Sequence, residues 1–218
     1  MSVLAAVLFD MDGTLVETES LWHAAESITM ASFGSEWTEE EQRFALGGPF
    51  DAVAEYMASK AGVSVDEVGA KLVSSIDELM RAEPLTVQPG VCALYDEARA
   101  AGIPTGLVTN SFRQLVEIVL DSTAMEFDVI VAGDEIEENK PHPLPYLTAC
   151  ELLGVNPQQV VVLEDSMTGI ESAHRAGCYV VAIPQLGDIA AMDRQLVVST
   201  VEGLDLARLQ DLLAAEDQ

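Results

Sequence analysis

Asp10, Asp12, Gly13 and Thr14 stand where the apolar run Val3 to Phe9 ends, and Glu164, Asp165 and Ser166 stand where Val160 to Leu163 ends. Thr109, Asn110 and Ser111 close a further run that starts at Pro104, and Lys140 follows Phe127 to Ala132 after a short loop. If these runs are parallel strands, their C-terminal ends share one edge of a sheet, where ligands of open α/β folds bind. Four carboxylates then meet. Two unit charges ~4 Å apart repel by about 4 kcal/mol at an effective dielectric of about 20, so a cation must hold them together. Oxygen donors without His or Cys suit a hard divalent ion and favour Mg²⁺ over zinc, and magnesium readily shares its coordination with a phosphate.

The charge balance sharpens the role of Lys140. The 218 residues include 37 acidic against 10 basic side chains, a formal charge of −27, and only three lysines. So negative a chain repels nucleic acid, and a phosphate site on it must place positive charge deliberately. Each element also has a plainer reading. Asp-x-Asp-Gly alone is often an Asx turn, Thr109-Asn110-Ser111 serves equally as the N-cap of a helix near Phe112, and Lys140 could be a solvated partner of Glu137 and Glu138. Acids directly after Val160-Val161-Val162-Leu163 are harder to explain without a partner, because a buried strand end tolerates unpaired charge poorly.

The elements that must position these residues follow from the pattern. The runs at 3–9, 104–109, 127–132, 160–163 and 179–183 alternate with helical patterns at 91–101, 114–122 and 144–153, which predicts a parallel sheet covered by helices on both faces. A further short strand near Leu196-Val197-Val198 and a last amphipathic helix end the chain. Glu17 to about Leu85 is helical in pattern, broken at Gly47-Gly48-Pro49, and reads as an all-helical insert. The expected division is an α/β, Rossmann-like core of residues 1–16 and 87–218 with a small helical domain of residues 17–86. No apolar stretch reaches the roughly 18 residues that cross a bilayer, and the N-terminus lacks the basic region of a signal peptide, so a cytoplasmic, monomeric or weakly dimeric protein is expected. Cys92, Cys150 and Cys178 fit reduced core thiols.

Phe9-Asp10-Met11-Asp12-Gly13-Thr14, Val108-Thr109-Asn110, Lys140-Pro141 and Leu163-Glu164-Asp165-Ser166-Met167-Thr168-Gly169 resemble, in order and separation, the four motifs of the haloacid dehalogenase superfamily. Four motifs together are specific where one would be weak. The resemblance implies that Asp10 attacks phosphorus to form an aspartyl phosphate, while Asp12 protonates the leaving oxygen and later deprotonates water. It implies that Asp10, the Asp12 carbonyl and Asp165 bind Mg²⁺ with Glu164 as direct or water-mediated neighbour, that Thr109 and Asn110 bond the phosphoryl oxygens, and that Lys140 balances charge. The helical insert would be a substrate-selecting cap, with Glu19, His23, Arg43 and Gly47-Gly48 facing the substrate. His23 beside Trp22 also reads as packing, and Arg43 among Glu39, Glu40 and Glu41 as a helix ion pair. Asn139 and Leu144 depart from the residues usual in relatives, which leaves the loop around Lys140 open in detail.

The implied substrate is a small phosphorylated metabolite, namely a sugar phosphate, a sugar-alcohol phosphate or phosphoglycolate. The alternatives are a β-phosphoglucomutase-like phosphomutase and a non-catalytic binding protein. A dehalogenase is disfavoured by Asp12 and Glu164-Asp165.

Overall fold

The computed structural model describes residues 3–45, 48–82, 84–184 and 192–215. Six apolar runs become the strands β1 (Ala6–Phe9), β2 (Thr105–Val108), β3 (Val129–Val131), β4 (Val160–Glu164), β5 (Tyr179–Ala182) and β6 (Gln195–Val197). They form one sheet in the order β3-β2-β1-β4-β5-β6 with every pairing parallel. Every residue of β1, β2, β4 and β5 is buried, as a sheet covered on both faces requires, which is why these segments read as unbroken apolar runs. β1 is shorter than the run that suggested it. Val3 to Ala5 outrun the neighbouring strand, whose register begins with Ala6 opposite Val160.

Among the described residues, the insert after β1 carries four helices: α1 (Glu19–Ser32), α2 (Glu39–Ala45), α3 (Phe50–Ala61) and α4 (Val65–Ala82). α4 buries Val68, Leu72, Ile76 and Met80 at helical spacing and packs against α1 and α3. The break between α2 and α3 falls at Gly48-Pro49, where the proline cannot continue a helix. The chain leaves and re-enters this insert side by side: the Glu17 amide donates to the Thr86 carbonyl and the Gln88 amide to the Leu15 carbonyl, both at 2.9 Å.

Beyond the insert, α5 (Val91–Ala100), α6 (Arg113–Thr123), α7 (Leu144–Leu153), α8 (Met167–Ala176) and α9 (Leu206–Ala215) cover the sheet. The two-residue period of a strand divides the core into two layers. Val7, Phe9, Val161 and Leu163 join Leu94 of α5, Leu115 of α6 and Leu209 of α9, in a cluster that continues into the insert through Met30 and Met57. Ala6, Leu8, Val160 and Val162 face Tyr146 and Ala149 of α7 and Ala173 of α8.

No described helix is long and apolar enough to cross a membrane. Two expectations are corrected. Cys92 is exposed on α5 rather than a core thiol, while Cys150 and Cys178 are buried and free. Thr109-Asn110-Ser111 does not cap α6, whose N-cap is Phe112; the Arg113 amide donates instead to Asp134 Oδ1 at 2.8 Å, because Ser111 is drawn toward Asp12.

Candidate active site

The strand order reverses between β1 and β4, and the crevice beyond their C-terminal ends collects the expected residues. Asp10 directly follows β1, and its amide donates to the Leu163 carbonyl of β4 at 3.0 Å. Lys140 enters from the loop after β3. Asn110 fixes that loop with both ends of its amide: Oδ1 accepts from the Lys140 amide at 3.0 Å, and Nδ2 donates to the Lys140 carbonyl at 3.2 Å.

Lys140 is 3% exposed, and its ammonium spends its three protons on Asp10 Oδ1 (2.6 Å), Glu164 Oε1 (2.6 Å) and the Val108 carbonyl (2.9 Å). It also lies 4.9 Å from the ring centre of Tyr146. Burial alone would push Lys140 down, but the Asp10 and Glu164 carboxylates outweigh it and hold its pKa above the ordinary range. The solvated lysine with partners at Glu137 and Glu138 is therefore not what forms.

Glu164 is fully buried and fully bonded. Its Oε1 also accepts from the Tyr146 hydroxyl at 2.9 Å, and its Oε2 from the amide and hydroxyl of Ser166, both at 3.1 Å. Ser166 in turn caps α8 by accepting from the Gly169 amide at 3.0 Å. A Cβ on Gly169 would stand 1.6 Å from Glu164 Oε1, so only glycine lets the helix start this close to the carboxylate.

Oxygens of Asp10, Glu164 and Asp165 all lie within 4.8 Å of one another. Burial pushes the Asp10 carboxyl up to about 8, reinforced by Glu164, and burial likewise raises Asp165 well above the carboxylate range. Ionised together, the three carboxylates against the single Lys140 ammonium would leave two negative charges, the charge one divalent cation cancels. The donors are hard oxygens, so the set fits Mg²⁺ in charge and in chemistry. Asp165 is steadied by the Thr14 hydroxyl, which donates to its Oδ1 at 3.1 Å.

Asp12 is turned toward the insert. Oδ1 accepts from the Thr18 hydroxyl at 2.7 Å and the Trp22 indole at 3.1 Å, and Oδ2 from the Ser111 hydroxyl at 2.7 Å and the Thr109 hydroxyl at 3.4 Å. These four donors fix the orientation of the Asp12 carboxyl. Thr18 and Trp22 reach it from one side because Thr18 is the N-cap of α1 and Trp22, four residues on, lies in its first turn.

The carboxylates open into a cavity of about 460 Å³ between sheet and insert. Asp10, Asp12, Thr109, Asn110, Lys140 and Asp165 form its floor, and Glu164 lies beneath Lys140. Of the insert residues expected to face a ligand, Glu19, His23 and Gly48 line the cavity. Arg43 does not: it is exposed on α2 and pairs with Glu39 at 3.5 Å, as its helical spacing permits. Gly47 lies outside the described residues.

Sequence reasoning missed the walls. Trp22 and Glu26, on α1, follow Glu19 at helical spacing, a signal that a helix-face reading of 19–26 would have found. Phe50, Val53 and Leu72 of the insert, and Phe112 and Met167 of the core, supply apolar wall and carry no chemical signature in sequence. Phe50 and Phe112 meet edge to face across the two parts, with ring centres 4.9 Å apart.

The profile of the haloacid dehalogenase-like hydrolase family matches residues 7–183. Validoxylamine A 7'-phosphate phosphatase of Streptomyces hygroscopicus is 33% identical over 188 residues, covering 85% of this chain and 88% of that protein. Hexitol phosphatase B of Escherichia coli K12 is 30% identical, covering 96% and 97%. The crystal structure of CbbY from Rhodobacter sphaeroides in complex with xylulose-1,5-bisphosphate superposes with a TM-score of 0.84 at 29% identity, covering 95% of this chain and all of that one. A polar edge built from four separate strand ends and a sequence matched across most of its length lead to one conclusion: this chain belongs to the haloacid dehalogenase-like hydrolases.

Proposed function

We propose that the protein is a magnesium-dependent phosphatase that hydrolyses a small phosphomonoester through a phosphoaspartate on Asp10. The observation that carries this reading is the buried junction in which Lys140 bridges Asp10 and Glu164 while Asp165 lies within metal-sharing distance. The phosphatase names of the relatives support it.

Asp10, Asp165 and the Asp12 carbonyl would hold Mg²⁺, with Glu164 beside them. When bound, the ion cancels charge on the carboxylates and on the incoming phosphate. Lys140 keeps Asp10 oriented and offsets its charge, while Thr109 and Asn110 lie where phosphoryl oxygens enter. A carboxylate oxygen of Asp10 forms a bond to phosphorus as the bond to the leaving oxygen breaks. That oxygen takes the electron pair and a proton from Asp12. Asp12 then accepts a proton from water as the water oxygen bonds phosphorus, which frees inorganic phosphate and restores Asp10. Because Thr18 and Trp22 hold Asp12 from the insert side, movement of the insert and presentation of the acid are mechanically linked. We place the boundary of this cap domain at residues 17–86, with 1–16 and 87–218 as the core.

The test is Asp10→Asn. Phosphate release with Mg²⁺ should fall by at least about 10³-fold with folding intact, the order seen when a covalent nucleophile is removed. Circular dichroism checks the fold, and acid-stable labelling of wild type but not variant by a ³²P substrate checks the intermediate. Wild-type rates in Asp10→Asn would remove Asp10 from the mechanism.

A further inference from the structure

We infer that the site selects phosphomonoesters whose leaving group is uncharged and rich in hydroxyls, and turns away those that carry a second phosphate or a carboxylate. The inference rests on the phosphatase reading and narrows its substrate class.

The first ground is the placement of cations. The described residues include all ten Lys and Arg side chains of the chain, and of these Lys140 alone lines the cavity. Six of the others form ion pairs elsewhere, among them Arg43 with Glu39 and Arg113 with Glu135. Lys140 has already committed its three protons at the nucleophile end. A second anionic group, held away from the reacting phosphate, would find no counterion in the wall.

The second ground is what it would find. α1 turns Glu19, Trp22, His23 and Glu26 toward the cavity, a single helical face that carries two carboxyls and no fixed positive charge. In a partly enclosed cavity a phosphate or carboxylate beside the Glu19 carboxylate is repelled, and Glu26 offers it no positive charge.

The third ground is unused hydrogen-bonding capacity. His23 Nε2 is buried with no hydrogen-bond partner, which is costly unless a ligand satisfies it. Glu26 Oε2 accepts from the Trp37 indole at 2.8 Å, and burial pushes the Glu26 carboxyl up to about 7, so near neutrality it both donates and accepts. A hydroxyl has the same dual capacity. Apolar Phe50, Val53 and Leu72 complete the wall and suit the carbon skeleton behind the hydroxyls. A phosphomutase, which passes through a sugar bisphosphate, does not fit this wall.

The experiment compares sorbitol 6-phosphate and glucose 6-phosphate with fructose 1,6-bisphosphate and phosphoglycolate. Wild-type kcat/KM is measured by phosphate release with Mg²⁺, and affinity for the same four compounds by calorimetry on Asp10→Asn. The neutral-tailed pair should lead by about 100-fold in kcat/KM and at least about tenfold in affinity. Equal or better turnover and binding of fructose 1,6-bisphosphate or phosphoglycolate overturns charge selection while leaving the phosphatase reading in place. Absence of all turnover with selective binding retained refutes the phosphatase reading and leaves charge selection standing. Binding of none of the four overturns the inference.

Discussion

At the scale of single residues, the site is a set of groups that are tolerable only together. Glu164 is the clearest case, since it is fully buried and accepts from Lys140, Tyr146 and Ser166. Removing any one donor leaves the others holding a buried charge that water cannot reach. Gly169 belongs to the same set by being small. Gly169→Ala should lower unfolding free energy by about 1–3 kcal/mol, the usual cost of overpacking, and should slow turnover by displacing Glu164 and with it Lys140. Urea unfolding and a phosphatase assay check both, and an unchanged midpoint would show that α8 shifts freely. Much of this set is legible in sequence, because charged residues abutting an apolar strand demand an explanation. The donors Tyr146, Thr18 and Trp22 are not, because their hydroxyls and indole do chemistry only by being aimed, and aim depends on helix packing.

At the scale of elements, α1 carries both the bonds to Asp12 and the polar wall of the cavity. Glu26 makes its stability titrate. Its carboxyl is raised to about 7 from an ordinary 4.5 by burial, offset in part by the Trp37 bond. Between those values the folded protein keeps a proton that the unfolded chain releases, so stability falls by about 1.4 kcal/mol per pH unit as pH rises. The penalty is absent below about pH 4.5 and complete above pH 7, where it reaches about 3 kcal/mol. Glu26→Gln should therefore match wild type near pH 4.5 and exceed it by about 1–3 kcal/mol at pH 8, read as the difference between two denaturant series. A constant difference across that range would show that Glu26 does not titrate there. The elements themselves were readable from hydrophobic period: strands buried on both faces give unbroken apolar runs, and α4 shows its buried stripe at three- and four-residue spacing. Strand ends were less so, because pairing with a neighbour decides where a strand stops, as at Val3 to Ala5.

At the scale of the whole molecule, the excess of 37 acidic over 10 basic side chains sets a self-repulsion that salt relieves. Raising NaCl from about 20 to about 500 mM should raise Tm as the screening length shortens. MgCl₂ at matched ionic strength should raise it further by occupying the Asp10 and Asp165 site, an increment that Asp165→Asn removes. Equal shifts for the two salts would argue against a specific ion. The sign and size of this field could be read from composition, whereas the absence of cations from the insert side of the cavity could not, since it depends on which faces the helices present. The paired crossings at Leu15–Glu17 and Thr86–Gln88 have a separate consequence. Because exit and re-entry are neighbours in space, the segment between them is a cassette. Selection can exchange, lengthen or reshape it without disturbing the strand ends, so preference for one metabolite over another is free to drift on a fixed chemical engine.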